Sequence, residues 1–300
     1  MPFKGFICPV CEVRLDREAA LAHLPYEHGG IVPPAVIEAV WRSEDDPRRS
    51  DDHISPSMAG GCMREYAIAR THDLYINPRK AWKMTEGSLW HEVMSKYNPP
   101  GWLSEVELPG PTQKLSPNAD KYRLHNGTWE YELWPDLWFS LRLDAIRSDY
   151  KIFYDYKTKD CPVGKYVDKK VTYNPTRWPP SHEWEMQLSI YAWAVAKMLT
   201  VPPPTPMVWQ LYKGIQDASL AWQPVPVTVM DYEELGREIR PGYELFINSM
   251  NRIASEGTKV ISEMPLQGRS MFGGKKCDLY CGVRKECDAL LTGDEDKWEL

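Results

Sequence analysis

The alternation of apolar and polar residues is clearest between Leu137 and Lys159, LWFSLRLDAIRSDYKIFYDYKTK. β-Branched and aromatic residues flank a polar cluster at Arg147–Tyr150, which predicts two strands joined by a tight turn. A turn centred in that cluster places Asp144 opposite Asp155, and the Cβ atoms of such cross-strand neighbours are about 4.5–5.5 Å apart. Lys157 shares the strand face of Asp155, because side chains alternate with a period of two.

Two carboxylates at that separation repel each other unless a cation lies between them. The predicted hairpin therefore indicates a site for a hard metal ion with an ammonium group beside it, a combination that suits cleavage of a phosphodiester. The same residues also fit an exposed, solvated strand face, which is where Asp and Lys are usually found. The hairpin alone leaves both interpretations open.

Helical periodicity predicts two helices that carry further polar candidates. The segment Thr85–Tyr97 places His91 beside an apolar face, and the segment that follows Ser181 has Gln187 and Tyr191 one turn apart. A helical His is more often a hydrogen-bonded core residue than a ligand, and Tyr191 also fits a plain core position. A Gln within an apolar stripe needs a polar partner.

The remaining elements are predicted from alternation and from turn residues. Trp102–Pro109 is a strand on which Glu105 and Glu107 share a face; one of them could reach the site, but a solvated edge is the default expectation. The Asn126-Gly127 pair indicates a hairpin, residues 207–214 and 219–229 are predicted strands, and the last long helix is interrupted at Pro241-Gly242.

Composition allows a sizeable core, since 43% of the residues are hydrophobic and 13 are Trp. The net charge of −6 argues against coating of DNA by the whole surface, although a locally basic channel is compatible with it. Without an apolar run of 18 residues or a signal peptide, we expect a soluble, cytoplasmic protein with no membrane partner.

Residues 160–180 are predicted to form a long loop in which cations alternate with aromatic residues. This pattern suits single-stranded DNA, through attraction of phosphates and stacking of bases. A surface loop whose charges pair with neighbouring acids is the alternative. The candidate DNA-binding residues are Lys165, Lys169, Lys170 and Arg177.

Seven Cys in an intracellular chain point to metal rather than to disulfides. Near the N-terminus Cys8 and Cys11 are followed by His23 and His28, a ligand set and spacing typical of tetrahedral zinc. The segment resembles a C2H2 zinc finger with one residue fewer between its two pairs than usual. Two surface His near an unrelated Cys pair are the alternative, and the target of the finger, DNA or protein, stays open.

A second cysteine group lies near the C-terminus, where Cys277, Cys281 and Cys287 have cationic neighbours that favour thiolates. Three clustered thiolates need a fourth ligand, and Cys62 is available at the start of the main domain. We therefore divide the chain into a zinc finger with its following helix at 1–40, a charged linker at 41–52 and a main domain at 53–300.

Taken in order, four motifs resemble the RecB-type branch of the PD-(D/E)XK nucleases over about residues 53–290. The motifs are GSLWH with His91, LRLDAI with Asp144, DYKT with Asp155 and Lys157, and QLSIY with Gln187 and Tyr191. The SPSMAGGC segment with Cys62 and the distant cysteine group resemble the iron–sulfur members, which include the CRISPR spacer-acquisition nucleases and the AddB nuclease domain. Leu141, where the family usually has Gly, and the spacing between Cys277 and Cys281 depart from that pattern.

This resemblance implies a restriction-endonuclease-like α/β core with a central mixed sheet flanked by helices. It implies that Mg²⁺ or Mn²⁺ binds to His91, Asp144, Asp155 and the backbone carbonyl of Tyr156, with the imidazole favouring Mn²⁺. Lys157 would orient the attacking water and offset the charge of the transition state, and Gln187 with Tyr191 would position the strand or brace the site. Cys62, Cys277, Cys281 and Cys287 would hold a 4Fe–4S cluster, with zinc as the alternative metal.

The function that we expect is a metal-dependent DNA exonuclease acting on single-stranded or free ends, in a protein of bacterial or phage origin. The alternative is a weakly active or inactive DNA-binding scaffold that keeps the nuclease fold. Such a scaffold would work with helicase, recombination, replication or CRISPR adaptation partners. A relic of this kind would be expected to have lost at least one of the residues that the family uses for catalysis.

Overall fold

The computed structural model describes a chain of helices and mixed β-sheets, which confirms the α/β class. The residues described are 3–30, 32–44, 54–72, 74–97, 99–108, 121–125, 127–160, 165–167, 170–172, 180–213, 222–265, 283 and 287–290. Contacts divide the chain into one unit of residues 1–53, 61–88 and 239–300 and another of residues 54–60 and 89–238.

The elements follow one another in this order. They are β1 (Phe3–Ile7), β2 (Arg14–Leu15), α1 (Arg17–His23), α2 (Pro34–Glu44), α3 (Met63–Thr71), β3 (Leu74–Ile76), α4 (Pro78–Lys96), β4 (Trp102–Leu108), β5 (Tyr122–His125), β6 (Thr128–Trp134), β7 (Leu137–Phe139), β8 (Leu141–Arg147), β9 (Ile152–Asp160), β10 (Lys165–Val167), β11 (Lys170–Thr172), α5 (His182–Leu199), β12 (Thr205–Lys213), β13 (Trp222–Pro226), α6 (Tyr232–Glu256) and α7 (Val260–Glu263). Two short 3-10 turns occur at Glu27–Gly29 and Pro56–Met58.

The first unit contains a small sheet of order β2-β1-β3, in which β1 pairs antiparallel with β2 and parallel with β3. Asp16 caps α1 by accepting a hydrogen bond from the backbone N–H of Ala19 at 2.8 Å. Apolar side chains in and next to β1, β2, α1 and α2 form one core. Its buried members are Phe6, Cys8, Leu15, Ala20, Leu24, Val32, Ile37 and Val40. The predicted finger segment thus shares its sheet with β3, which comes from beyond the predicted linker.

The second unit is built on a five-stranded sheet of order β13-β12-β9-β8-β4. Strands β9 and β12 run parallel, whereas the other neighbours in this sheet are antiparallel, so the sheet is mixed. Strands β8 and β9 form the hairpin predicted from the alternation of Leu137–Lys159. A three-stranded sheet of order β5-β6-β7 contains the second predicted hairpin, whose Gly127 has a φ of 78°.

Helix α5 agrees with its prediction. The hydroxyl of Ser181 caps it by accepting a hydrogen bond from the Trp184 N–H at 3.4 Å, and its apolar side chains are buried. The helix packs against β6 and β12 of the second unit. Buried apolar side chains on nearly all sides are typical of a helix that covers a sheet in the centre of a domain.

Three predictions of local structure were wrong. Helix α6 continues through Pro241. The free energy gained by burying its apolar stripe exceeds the cost of the backbone hydrogen bond that proline cannot make. The buried members of the stripe are Leu235, Ile239, Tyr243 and Phe246. Helix α4 begins at Pro78, earlier than the predicted start at Thr85, and proline is favoured in the first turn of a helix. The predicted loop at residues 160–180 contains the β10–β11 hairpin.

Part of the predicted linker at 41–52 is helical, since α2 extends to Glu44; the rest lies outside the described residues. Within the part of the chain that is described, no helix combines the length and the apolar character needed to cross a bilayer.

Candidate metal centre

Three neighbouring strands each present a carboxylate at one level of the five-stranded sheet. The pairs Ser104–Ala145 and Val106–Leu143 flank Glu105 of β4 and place it opposite Asp144 of β8. The β8–β9 register, continued by one residue from the Ala145–Tyr154 pair, places Asp144 opposite Asp155, as the sequence predicted. The acids therefore form a row across β4, β8 and β9.

His91 of α4 approaches this row from outside the sheet. Its Nδ1 atom lies 3.1 Å from Oδ1 of Asp144 and 3.8 Å from Oε1 of Glu105. One ligand atom from each of these three residues falls within 4.8 Å of the others, a grouping that could hold a metal ion. The structure therefore brings together the predicted pair of His91 and Asp144 and adds Glu105 to it.

The backbones of β8 and β9 stop pairing at Asp144. The pairing of β8 with β9 comprises Ala145–Tyr154 and Ile146–Phe153, and the next available donor, the backbone N–H of Tyr156, donates to Oδ2 of Asp144 at 2.7 Å. The carboxylate thus takes the place of a main-chain acceptor. This bond fixes one oxygen of Asp144, while the other oxygen faces His91.

Asp155 is buried beside Lys157. Nζ of Lys157 lies 3.2 Å from Oδ1 of Asp155 and 2.9 Å from Oδ2, but the second contact lacks hydrogen-bond geometry, so the buried Oδ2 has no hydrogen-bond partner. Burial raises the pKa of Asp155, and the charge of Asp144 raises it further, against the opposing effect of Lys157. Oδ2 of Asp155 is therefore balanced by the charge of Lys157 without a hydrogen bond to it.

Charge balance around the row comes from three cationic groups. Burial alone would lower the pKa of His91, but its hydrogen bond to Asp144 and the charges of the acids raise it above the ordinary value. Burial likewise opposes the charge of Lys157, whose pKa is nevertheless raised by Asp155 and Asp144. Arg142 forms an ion pair with Oε2 of Glu105. The charges of the acids are therefore balanced by cationic groups of the protein itself.

Glu105 is the functional candidate that the sequence pattern ranked too low. Its expected solvated position was wrong, because its side chain is only 22% exposed, whereas Glu107 on the same strand is exposed. The backbone of Glu105 has a φ of 50°, a left-handed conformation that is uncommon for a non-glycine residue. Residues in such strained conformations cluster at functional sites. Only the pairing of β4 with β8 would have revealed it.

Gln187 and Tyr191 are both buried on α5, on the side of the acids. A hydrogen bond joins the two side chains, and the ring of Tyr191 contacts that of Phe153 with centroids 6.3 Å apart. Burial raises the pKa of Tyr191, as do the charges of Asp155 and Asp144. Gln187 therefore has the polar partner that its position in an apolar stripe requires, and the pair supports the site from within.

The first unit contains a second ligand group, formed by the predicted zinc residues Cys8, Cys11, His23 and His28, whose ligand atoms lie within 4.8 Å of one another. Sγ of Cys11 is 3.5 Å from Nε2 of His23. Burial would raise the pKa of Cys8, but hydrogen bonds from the Cys11 and Val10 backbone and from the side chains of His23 and Cys11 lower it to about 7. A thiol of that pKa readily supplies a thiolate to a metal.

The described members of the other cysteine group are Cys62 and Cys287, which are both buried and reduced. Burial raises the pKa of Cys287, and so does the neighbouring Cys62, whereas Arg64 lowers it. Nη1 of Arg64 lies 3.7 Å from Sγ of Cys287, and its Nε donates to the carbonyl of Ile261 at 2.9 Å. Cys277 and Cys281 lie outside the described residues.

The candidate DNA-binding cations are only partly covered by the structure. Lys165 belongs to β10 and Lys170 to β11, which pair antiparallel, whereas Lys169 and Arg177 lie outside the described residues. The DNA-binding role of this segment stays a prediction.

No model of a known protein family matches the chain, and no curated protein matches it. Among solved structures, the chain is similar to one titled "Crystal structure of SSO0001", with 15% sequence identity and a TM-score of 0.43. The match covers 85% of this chain and 95% of that one. At this level of similarity the match carries no conclusion about function.

Proposed function

We propose that the protein is a metal-dependent DNA nuclease of the RecB-type PD-(D/E)XK kind, acting on single-stranded or free ends. The observation that carries the proposal is the grouping of His91, Glu105 and Asp144 beside the ion pair of Lys157 with the buried Asp155. Carboxylates alone occur on many surfaces. Carboxylates on three adjacent strands, with an imidazole and a partly buried ammonium, are the parts that hydrolysis of a phosphodiester requires.

The residues present fit a divalent cation. His91, Glu105 and Asp144 offer ligand atoms within 4.8 Å of one another, and Asp155 adds a buried oxygen that has no hydrogen-bond partner. Oxygen donors suit Mg²⁺ and Mn²⁺, and the imidazole favours Mn²⁺. The backbone carbonyl of Tyr156 remains a proposed further ligand.

A divalent cation bound there would lower the pKa of a water molecule and stabilise negative charge on the phosphate. The side chains of the protein supply the rest. The ammonium of Lys157, 28% exposed and held by Asp155, offsets charge that develops on the attacked phosphate and orients the attacking water. The buried Gln187 and Tyr191 brace the site from the side of α5.

Two structural metal sites complete the proposal. Zinc on Cys8, Cys11, His23 and His28 suits the donor set and the lowered pKa of Cys8. A 4Fe–4S cluster on Cys62, Cys277, Cys281 and Cys287 is supported by the proximity of the first and last of these thiols. Iron analysis and the colour of anaerobically purified protein distinguish this cluster from a zinc ion.

The decisive experiment is digestion of end-labelled single-stranded DNA with Mn²⁺, comparing the protein with Asp155→Ala and Lys157→Ala variants. Lys151→Ala is the matched control, because Lys151 belongs to the exposed turn of the same hairpin. We expect cleavage by the protein and by the control and its loss in the two site variants. Cleavage that persists in both variants would reject this site. Complete inactivity with several metals, together with tight DNA binding, would indicate the scaffold function instead.

A further inference from the structure

Beside the metal centre, the second unit contains an aromatic pocket of about 360 Å³. Its walls include Tyr97, Trp102, Tyr154, Tyr156 and Trp209, with Met94 as an aliphatic member. Among the described residues that line it, none carries a charge. A pocket of this size and lining is typical of sites for small, largely apolar groups.

Two aromatic rings from different strands form one wall of the pocket. Trp102 of β4 and Tyr154 of β9 belong to strands that both neighbour β8, and Ala145 of β8 pairs with Tyr154 and with Ser104. The rings of Trp102 and Tyr154 stack against each other, with centroids 4.4 Å apart and planes 17° apart. Trp209 meets Tyr154 edge-on with centroids 5.9 Å apart, which closes one end of the wall.

Tyr156 connects the pocket to the metal centre. Its ring lines the pocket and lies 6.1 Å from the ring of His91, measured between centroids. Its backbone N–H is the group that donates to Asp144. Because side chains alternate along β9, Tyr156 lies on the opposite face from Asp155 and Lys157, so an occupant of the pocket approaches the proposed centre from the side of His91.

We propose that this pocket binds one unpaired nucleobase of the DNA strand whose phosphate is presented to the acidic row. A ligand that occupies both the aromatic pocket and the proposed metal centre must carry a flat apolar group for the first and an anionic group for the second. A nucleotide combines the two. Aromatic walls stack with any base, so the pocket selects unpaired bases without reading their sequence. This inference rests on the proposed nuclease function and makes it specific to single strands, because a paired base would first have to leave its stack.

Binding can be measured separately from cleavage. We would titrate the full chain, with Ca²⁺ replacing Mn²⁺, against a fluorescent thymine oligonucleotide and against versions with one abasic site placed at successive positions. Salt must be held constant, because phosphate contacts vary steeply with it. The protein variants are Trp102→Leu and Tyr97→Leu, and Tyr97 is 80% exposed, so its replacement leaves folding intact. Trp82→Leu is the matched control, since Trp82 is also exposed but does not line the pocket.

For the unmodified protein we expect one abasic position to weaken binding roughly 5- to 150-fold, the range given by stacking of one base. Trp102→Leu should bind the intact oligonucleotide more weakly and lose most of the penalty at that position, while Trp82→Leu behaves as the unmodified protein. Equal affinity of the unmodified protein for all the oligonucleotides would overturn the proposal, as would an undiminished penalty in both pocket variants. A clear penalty without Mn²⁺-dependent cleavage would preserve the pocket and reject the nuclease function.

Discussion

Asp144 accepts a hydrogen bond from the backbone N–H of Tyr156, with 2.7 Å between its Oδ2 and the nitrogen. The backbone pairing of β8 with β9 stops at this point, and the carboxylate of Asp144 replaces a main-chain carbonyl as the acceptor. The second carboxylate oxygen lies 3.1 Å from Nδ1 of His91 and faces the proposed metal site. The position of the proposed centre is thus determined by backbone geometry as well as by side chains.

Replacing Asp144 by Asn should separate structure from function. The amide oxygen can still accept from Tyr156, so thermal stability without metal should change little. The negative charge is lost, so cleavage with Mn²⁺ should fall on the order of 10²-fold or more, comparable to removal of one group that stabilises transition-state charge. The stabilisation by Mn²⁺ in thermal unfolding should also disappear. Asp149→Asn, in the exposed turn, is the control; an unchanged Mn²⁺ response in Asp144→Asn would contradict the ligand role.

Glu105→Gln tests the ligand that sequence patterning ranked too low. The variant retains size and hydrogen-bonding capacity but lacks the charge that faces His91 and Arg142. We expect Mn²⁺ affinity, measured by calorimetry, to fall roughly 10- to 100-fold. Glu107→Gln, an exposed position on the same strand, should bind Mn²⁺ normally. Equal affinities of the two variants would remove Glu105 from the site.

The Asp155–Lys157 pair should show strong coupling. Lys157→Met leaves the buried Asp155 carboxylate without its countercharge and should destabilise the fold by about 3 kcal/mol or more in denaturant unfolding. Adding Asp155→Asn removes the unpaired charge and should recover much of that loss, while activity stays absent. Additive effects of the two substitutions would show that the pair does not interact.

Removal of the proposed zinc should affect the first unit. Cys8→Ser removes one of the four proposed zinc ligands. We expect the unmodified protein to contain about one zinc ion per chain and the variant to lose it. The first unit of the variant should then lose its cooperative thermal unfolding. Cys161→Ser, which removes a thiol outside both cysteine groups, should retain zinc. Elemental analysis with differential scanning calorimetry measures both quantities. Full zinc content in Cys8→Ser would exclude this ligand set.

A pH dependence is expected from His182 at the start of α5. Its hydrogen bond to Glu238, helped by Glu185 and opposed by burial, raises its pKa above the ordinary value. Folding therefore favours the protonated ring: the stabilisation is complete below about pH 6 and is lost as the pH rises through the raised pKa.

His182→Gln should accordingly lower stability at pH 6 and much less at pH 9. The side chain is 55% exposed, so the effect should be at most about 1 kcal/mol after screening by solvent. Glu92→Gln removes an exposed ion pair with Lys96 whose partners both stay charged over this range, and its effect should not depend on pH. Parallel pH profiles of the two variants would contradict the role of His182.

The sequence predicted those features that depend on local periodicity. The β8–β9 hairpin, its register and the buried stripe of α5 follow from alternation and helical spacing within short segments. The position of Glu105 does not, because it depends on the pairing of β4 with β8 across a large sequence separation. The aromatic pocket depends in the same way on the order of β4, β8, β9 and β12 in the sheet. Pro241 within α6 shows how burial of a long stripe overrides a local helix-breaking signal.

The parallel pairing of β1 with β3 has a consequence for anyone who shortens this protein. A chain beginning at residue 53, the predicted boundary, would lack the strand that covers β3 and the apolar core residues around it. The uncovered edge of β3 would then offer free backbone groups to other molecules, which promotes aggregation. The N-terminal segment is for this reason a structural partner of its neighbours in the first unit, and a fragment cut at the predicted boundary should be harder to purify than the intact chain.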